Sequence, residues 1–215
     1  MLYSHIIWDW NGTLCDDVGW CVEVINRMLS KRGLKTIKNA HEYHGLFCFP
    51  VIEYYKKAGF NLEEEPFKDL AEEFISLYHS EKNYKLRKGA QDVLLKIYTE
   101  GITQIVLSAS EISNLLLQMS GFGIESYFDE ILGISDIYAV SKTDLGLDFI
   151  KKNNIRRALL IGDTGHDFET AKLLDADCLL ITGGHQSEET LLEFGVPVIG
   201  CLEDIFKYIK GDSNA

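Results

Sequence analysis

Four short stretches of this chain carry side chains able to work on an anionic group. The first is Ile6-Ile7-Trp8-Asp9-Trp10-Asn11-Gly12-Thr13-Leu14-Cys15-Asp16-Asp17, an apolar run that ends in a carboxylate and continues through a Gly-Thr turn into an acidic pair. The second sets Ser108 after Ile105-Val106-Leu107. The third sets Lys142 after residues 131–140 and ahead of a helical pattern. The fourth, Leu159-Leu160-Ile161-Gly162-Asp163-Thr164-Gly165-His166-Asp167, ends with two carboxylates. A carboxylate attacks an anion only when a cation screens both partners. Grouped carboxylates that share a hard divalent ion, with a lysine and a hydroxyl beside them, therefore have one common use. Taken singly, each has a plainer reading. Asp9 suits a turn or a helix cap, Ser108 and Ser110 suit capping ahead of Glu111, Lys142 suits a solvated surface, and Asp163-Thr164-Gly165 suits a turn.

The elements that would position these groups follow from the apolar pattern. Strands are predicted at Ser4–Trp8, Gln104–Leu107, Glu130–Gly133, Ala158–Ile161, Cys178–Ile181 and Pro197–Gly200. They are continuous apolar runs, as for strands covered on both faces. Helices are predicted at Gly89–Glu100, Glu111–Ser120, Thr143–Asn153, Asp167–Asp175, Glu188–Phe194 and Glu203–Lys210. The alternation argues an α/β protein with a Rossmann-like, doubly wound parallel sheet. All four stretches then fall at carboxyl ends of strands, where open parallel sheets bind ligands. Between Val18 and Tyr84 no strand is predicted. Val18–Lys31, Pro50–Ala58 and Glu64–His79 read as helices, with Pro66 in a first turn and Asn61-Leu62-Glu63-Glu64-Glu65 as a solvated helix start. An insert of that length is no simple connection. The expected organisation is a core of residues 1–16 and 85–215 with a small helical cap, residues 17–84, inserted after the first strand.

Bulk composition narrows the function class. A net charge of −12 disfavours nucleic acid, whose phosphates need clustered Lys and Arg. No apolar run approaches the roughly 20 residues that cross a bilayer. The start of the chain lacks a signal-peptide pattern. Cys15, Cys21, Cys48, Cys178 and Cys201 are scattered without a CxxC pair, which points to thiols in a reducing, cytoplasmic setting. No membrane partner is expected. His41, His44 and Cys48 do not have metal spacing. Trp8 and Trp10 are read as packing residues, and His185 as a loop histidine.

In order and spacing the four stretches resemble the motifs of the haloacid dehalogenase superfamily, whose nucleophile loop reads DxDGTLxD. The GDTxxD run followed by Ala171 is similar to its fourth motif. The resemblance covers nearly the whole chain, with the helical insert placed as in the phosphoglycolate phosphatase-like branch. It implies a Mg²⁺-dependent phosphohydrolase acting on a small phosphorylated metabolite. Asp9 would be the nucleophile, forming an aspartyl-phosphate. Mg²⁺ would take Asp9, the Asn11 backbone carbonyl and Asp163, with Asp167 holding a metal-bound water or orienting Lys142. Gly12, Thr13, Ser108, Ala109 and Lys142 would hold the phosphoryl group, with Gly12 allowing close approach. His166 stands at a variable family position and receives no role.

One position departs from the pattern. The family's second aspartate, which protonates the leaving oxygen and then activates water, is Asn11 here. An amide can do neither, and general acid–base help is typically worth about 10²–10⁴ in rate. The expectation is retained binding with weakened turnover of alkyl phosphates, so that acyl or nitrophenyl phosphates are favoured. Two alternatives remain. One is a phosphonatase-like hydrolase using a Schiff-base lysine among Lys31, Lys35, Lys38, Lys56 and Lys57. The other is a catalytically impaired protein that binds a phospho-ligand for regulation.

Overall fold

The computed structural model describes residues 2–135 and 141–210. Six parallel strands form one sheet in the order β5-β4-β1-β6-β7-β8. They are β1 (His5–Trp8), β4 (Thr103–Glu111), β5 (Glu130–Ile134), β6 (Ala158–Gly162), β7 (Asp177–Ile181) and β8 (Val198–Ile199). The remaining two strands, β2 (Cys15–Asp16) and β3 (Lys85–Leu86), pair antiparallel with each other.

Strand β1 lies in the middle, between β4 and β6, so the strand order reverses around it. Trp8 is level with Val106 on one side and Ile161 on the other. Asp9 therefore leaves the sheet beside the end of β6, at the topological switch point, while β4 runs on to Glu111. Its amide donates to the Ile161 carbonyl at 2.9 Å.

Alternation along β1 feeds two cores. Ile6 and Trp8 point into one cluster with Val93, Leu94 and Ile97 of α5 (Ala90–Thr99) and with Leu115 and Met119 of α6 (Ile112–Phe122). Ile7 points the other way. It packs with Ile105, Leu107 and Leu160 against Leu145 of α7 (Lys142–Asn153) and Ala171 of α8 (Gly165–Leu173). Helices on both faces explain why the strands read as unbroken apolar runs. The last two α-helices among the described residues are α9 (Glu188–Leu192) and α10 (Phe206–Ile209).

Between β2 and β3 run α1 (Val18–Lys31), α2 (Ala40–Leu46), α3 (Val51–Ala58) and α4 (Phe67–Ser80). They share a third cluster built on Trp20, Val24, Met28, Tyr43, Tyr54 and Leu70.

Several expectations shift. Helix α4 starts at Phe67, not Glu64, because Glu65 precedes Pro66 and is kept out of the helical region. The Asn61–Glu65 stretch is a turn, and Glu65 pairs with Arg32 instead. Helix α2 was not foreseen: only Tyr43 of it is buried, so it shows no apolar stripe. Its start is fixed locally, Asn39 accepting from the Glu42 amide at 2.9 Å. The β2–β3 pair is too short to carry a pattern. The predicted helix Glu203–Lys210 divides into a 3₁₀ turn, Leu202–Ile205, and α10. The stretch leading to Lys142 includes residues 136–140, which lie outside the described residues.

Candidate active site

The nucleophile loop is a tight turn after β1. The amides of Thr13, Leu14 and Cys15 all donate to the Trp10 carbonyl, at 3.2, 3.0 and 2.8 Å. Trp8 and Trp10 are fully buried, and their indoles donate to Gln104 and Gln118. Gly12 sits at φ +74, and a Cβ there would strike the Asp163 carboxylate and the His185 ring. Only glycine lets the loop adopt this conformation while Asp163 comes up beside Asp9. The Arg87 guanidinium pins the turn, donating to the Gly12 and Thr182 carbonyls.

The fourth stretch forms the start of α8 as a capping box. Asp167 Oδ2 accepts from Thr164 Oγ1 at 2.6 Å, from the Thr164 amide at 3.0 Å and from the Asp163 amide at 3.2 Å. Gly162 makes room for it, since a Cβ there would overlap the Asp167 side chain. Lys142, the first residue of α7, places Nζ 2.5 Å from both Asp9 Oδ1 and Asp167 Oδ1. Thr13 Oγ1 lies 3.1 Å from Asp9 Oδ2 and 3.3 Å from Asp163 Oδ1. Asp163 Oδ2 accepts the His185 amide at 2.6 Å.

Three carboxylates thus meet in a buried group, with ligand oxygens all within 4.8 Å of one another, and one lysine opposes them. Burial raises the Asp9 carboxyl, Asp167 adds to this and Lys142 opposes it, leaving Asp9 at about 8. Burial likewise raises Asp163, against the pull of His185, to about 6. Asp167 is held below the usual carboxylate range, because Lys142 outweighs its burial. Burial works against the Lys142 charge, but Asp167 and Asp9 more than offset it and its affinity for the proton rises. The group is short of positive charge. Its donors are carboxylate oxygens, the chemistry that suits a hard cation such as Mg²⁺. Asp9 and Asp163 keep free lone pairs. Asp167 accepts four hydrogen bonds where Asp9 and Asp163 accept two each, so its geometry fits orienting Lys142.

A second layer surrounds Asn11. Its amide nitrogen donates to Asp17 Oδ2 at 2.7 Å and approaches Tyr78 Oη at 3.2 Å, while its oxygen accepts from Ser110 Oγ at 2.8 Å. Asp17 also accepts from the Gly12 amide at 2.9 Å and from Tyr78 Oη at 2.8 Å. His185 Nε2 lies 3.6 Å from Asp17 Oδ1, and its Nδ1 is 2.6 Å from Tyr43 Oη. Burial opposes charge on His185, but the Asp17 carboxylate overrides it and raises the imidazole to about 9.

Three readings change here. Ser110 does not cap α6; Glu111 does, accepting from the Ser113 and Asn114 amides, and Ser110 holds Asn11. His185 is no plain loop residue, being 7% exposed and tied to Asp163, Asp17 and Tyr43. Asp17, in sequence one of an acidic pair, is fully enclosed. The strand-end rule that found Asp9 and Ser108 could have found His185, which follows β7. Ser108 is buried at the switch point, where its Oγ accepts the Ser110 amide at 3.0 Å, and Ala109 is exposed. His44 Nε2 lies 3.0 Å from the Gly184 carbonyl, a contact between α2 and the loop after β7.

Among the described residues no helix is long and apolar enough to cross a membrane. The family model for haloacid dehalogenase-like hydrolases matches residues 6–181. No curated protein sequence matches the chain. Among solved structures, it is similar to a haloacid dehalogenase-like hydrolase of Streptococcus pneumoniae, with TM-score 0.84, 18% identity, and 97% and 99% of the two chains covered. It is similar to a predicted phosphoglycolate phosphatase of Haemophilus somnus, with TM-score 0.80, 16% identity, and 98% and 99% covered. A predicted phosphatase of Clostridium acetobutylicum gives 0.78, 21%, and 97% and 99%. With the family pattern running from β1 through β7, and the whole fold shared with these structures, the chain belongs to the haloacid dehalogenase-like hydrolases.

Proposed function

We propose that this hydrolase is a Mg²⁺-dependent phosphatase acting on a small phosphorylated metabolite through an aspartyl-phosphate on Asp9. The observation that carries the reading is the meeting of Asp9, Asp163 and Lys142 at the switch point, with Asp9 still 8% exposed at the cleft. The likeness to predicted phosphatases supports it.

Asp9 and Asp163, with the Asn11 carbonyl, would hold the ion, which would screen the attacking carboxylate from the substrate and polarise a phosphoryl oxygen. Thr13 donates to Asp9 Oδ2 and Lys142 to Oδ1, which holds the carboxylate for attack. Lys142, held by Asp167, neutralises charge growing on the transferring group. Ser108 and the backbone at Ala109 bind its oxygens. In the first step an Asp9 oxygen bonds to phosphorus and the ester oxygen leaves with its electron pair. In the second, water attacks the same phosphorus, releasing phosphate and restoring the carboxylate. Asn11 donates hydrogen bonds but no proton, so leaving groups that are stable as anions are favoured. Helices α1–α4, within residues 17–84, act as a cap over the cleft.

The phosphonatase alternative loses support. Lys31, Lys35 and Lys56 pair with Glu73, Glu42 and Glu53 while remaining exposed, and Lys38 and Lys57 are exposed. The test is a turnover screen across leaving-group classes, with and without Mg²⁺, using Asp9→Asn as the blank. Mg²⁺-dependent release of phosphate that Asp9→Asn abolishes supports the reading. Ion-independent release, or release that survives the substitution, refutes it.

A further inference from the structure

Two core loops at the site, those after β6 and β7, each carry a histidine, and each histidine is stacked on a phenylalanine from the helical insert. His166, next to Asp167, stacks on Phe49 with ring centroids 4.9 Å apart at 25°. His185, whose amide holds Asp163, stacks on Phe47 at 5.1 Å and 28°. The two phenylalanines touch each other edge to face at 5.5 Å, so four rings form one continuous patch next to the residues that hold Asp163 and Asp167. Phe49 is 42% exposed, which is costly for a residue serving only to fill a core. Tyr54 packs on Phe47, and its buried hydroxyl has no hydrogen-bond partner among the described residues.

Five cations of the insert, Arg27, Lys31, Arg32, Lys35 and Lys56, are held in ion pairs with glutamates. Arg87, in the core, is used on two backbone carbonyls. The patch therefore offers ring faces, and its one charged ring, His185, is already turned to Asp17 and Tyr43 rather than to a second anionic group on the substrate.

From the aromatic patch together with Asn11 we infer that the substrate class is an aryl phosphate monoester with an otherwise uncharged leaving group. This rests on the phosphatase reading above and narrows it. The two observations are independent. Asn11 selects a leaving oxygen that departs without a donated proton, and a phenolate does so where an alkoxide does not. The ring patch selects a flat apolar body attached to that oxygen. In the transfer, an Asp9 oxygen bonds to phosphorus, the P–O(aryl) bond breaks, and the phenolate leaves with the electron pair and takes a proton from water.

The experiment compares 4-nitrophenyl phosphate, acetyl phosphate and phosphoglycolate on the full chain with Mg²⁺. Acetyl phosphate has a leaving group that departs at least as readily and carries no ring. The expected result is a kcat/KM for the aryl ester about 3- to 10-fold above acetyl phosphate, the size of one ring-stacking contact, with phosphoglycolate the poorest. Phe49→Ala should remove that ratio mainly through KM, and Phe49→Tyr should restore it. If acetyl phosphate is turned over as well as the aryl ester, or the ratio survives Phe49→Ala, the aryl assignment is overturned and the phosphatase reading stands. If none of the three is hydrolysed, both fall.

Discussion

The amide nitrogen of Asn11 donates to the Asp17 carboxylate at 2.7 Å, and Asp17 is enclosed within the protein. The position that lacks an acid is thus bonded to one a few residues later in the same loop. The two residues are matched as donor and acceptor, and neither can be changed alone without cost.

Restoring an aspartate at position 11 by itself would set two carboxylates face to face. Asn11→Asp is expected to give no gain in alkyl-phosphatase rate. It should also lower stability by about 1–3 kcal/mol, because a buried acceptor loses its donor. Asn11→Asp with Asp17→Asn keeps one donor and one acceptor, and should raise the rate by up to about 10²–10⁴. Steady-state kinetics and denaturant unfolding of both variants check this. A gain in the single variant equal to that in the double would contradict the pairing.

Lys142 is the sole cation touching Asp9 and Asp167 among the described residues. Lys142→Met should reduce kcat by about 10²–10³, the usual loss on removing one group that stabilises developing charge. KM should change less. An unchanged kcat would remove Lys142 from the mechanism.

Gly12 meets the Asp163 carboxylate and the His185 ring, and its φ is +74. Gly12→Ala should cost about 1–2 kcal/mol in backbone strain alone. It should also displace Asp163, so Mg²⁺ binding followed by calorimetry should weaken. Wild-type affinity in the variant would show that Asp163 does not depend on this approach.

The site also sets a pH dependence. Asp9 titrates near 8 and Asp163 near 6 in the folded protein, both above the unfolded value of 3.8. The folded state therefore holds more protons than the unfolded state between about pH 4 and 8, and stability without Mg²⁺ falls as pH rises through that window. Below it the two groups are protonated in both states and contribute nothing. Mg²⁺ favours the ionised forms, so its stabilisation should be larger at pH 8 than at pH 5. Thermal unfolding with and without Mg²⁺ at both pH values checks this, and an equal shift at both would contradict it.

Much of this was legible in the sequence because the sheet is buried on both faces. Ile6-Ile7-Trp8 and Leu159-Leu160-Ile161 announce strands by apolar runs, and the residues that follow them fall at the cleft by topology. What was hidden depends on contacts across long separations. Asp17 reads as half of an acidic pair until Tyr78 and His185 are seen closing over it. Ser110 reads as a helix cap because its spacing allows one, but Glu111 reaches the same amides and leaves Ser110 for Asn11. Helix α2 buries too little to leave a stripe, and α4 begins where Pro66 permits rather than where the acidic residues suggest.

The most direct test is to mix the protein with acetyl phosphate and Mg²⁺, quench in acid within the first turnover, and map the phosphoryl group by peptide mass spectrometry. The account predicts one phosphoryl group on Asp9, absent in Asp9→Asn. A phosphoryl group on another residue, or release of phosphate with no adduct and no loss in the variant, would contradict it.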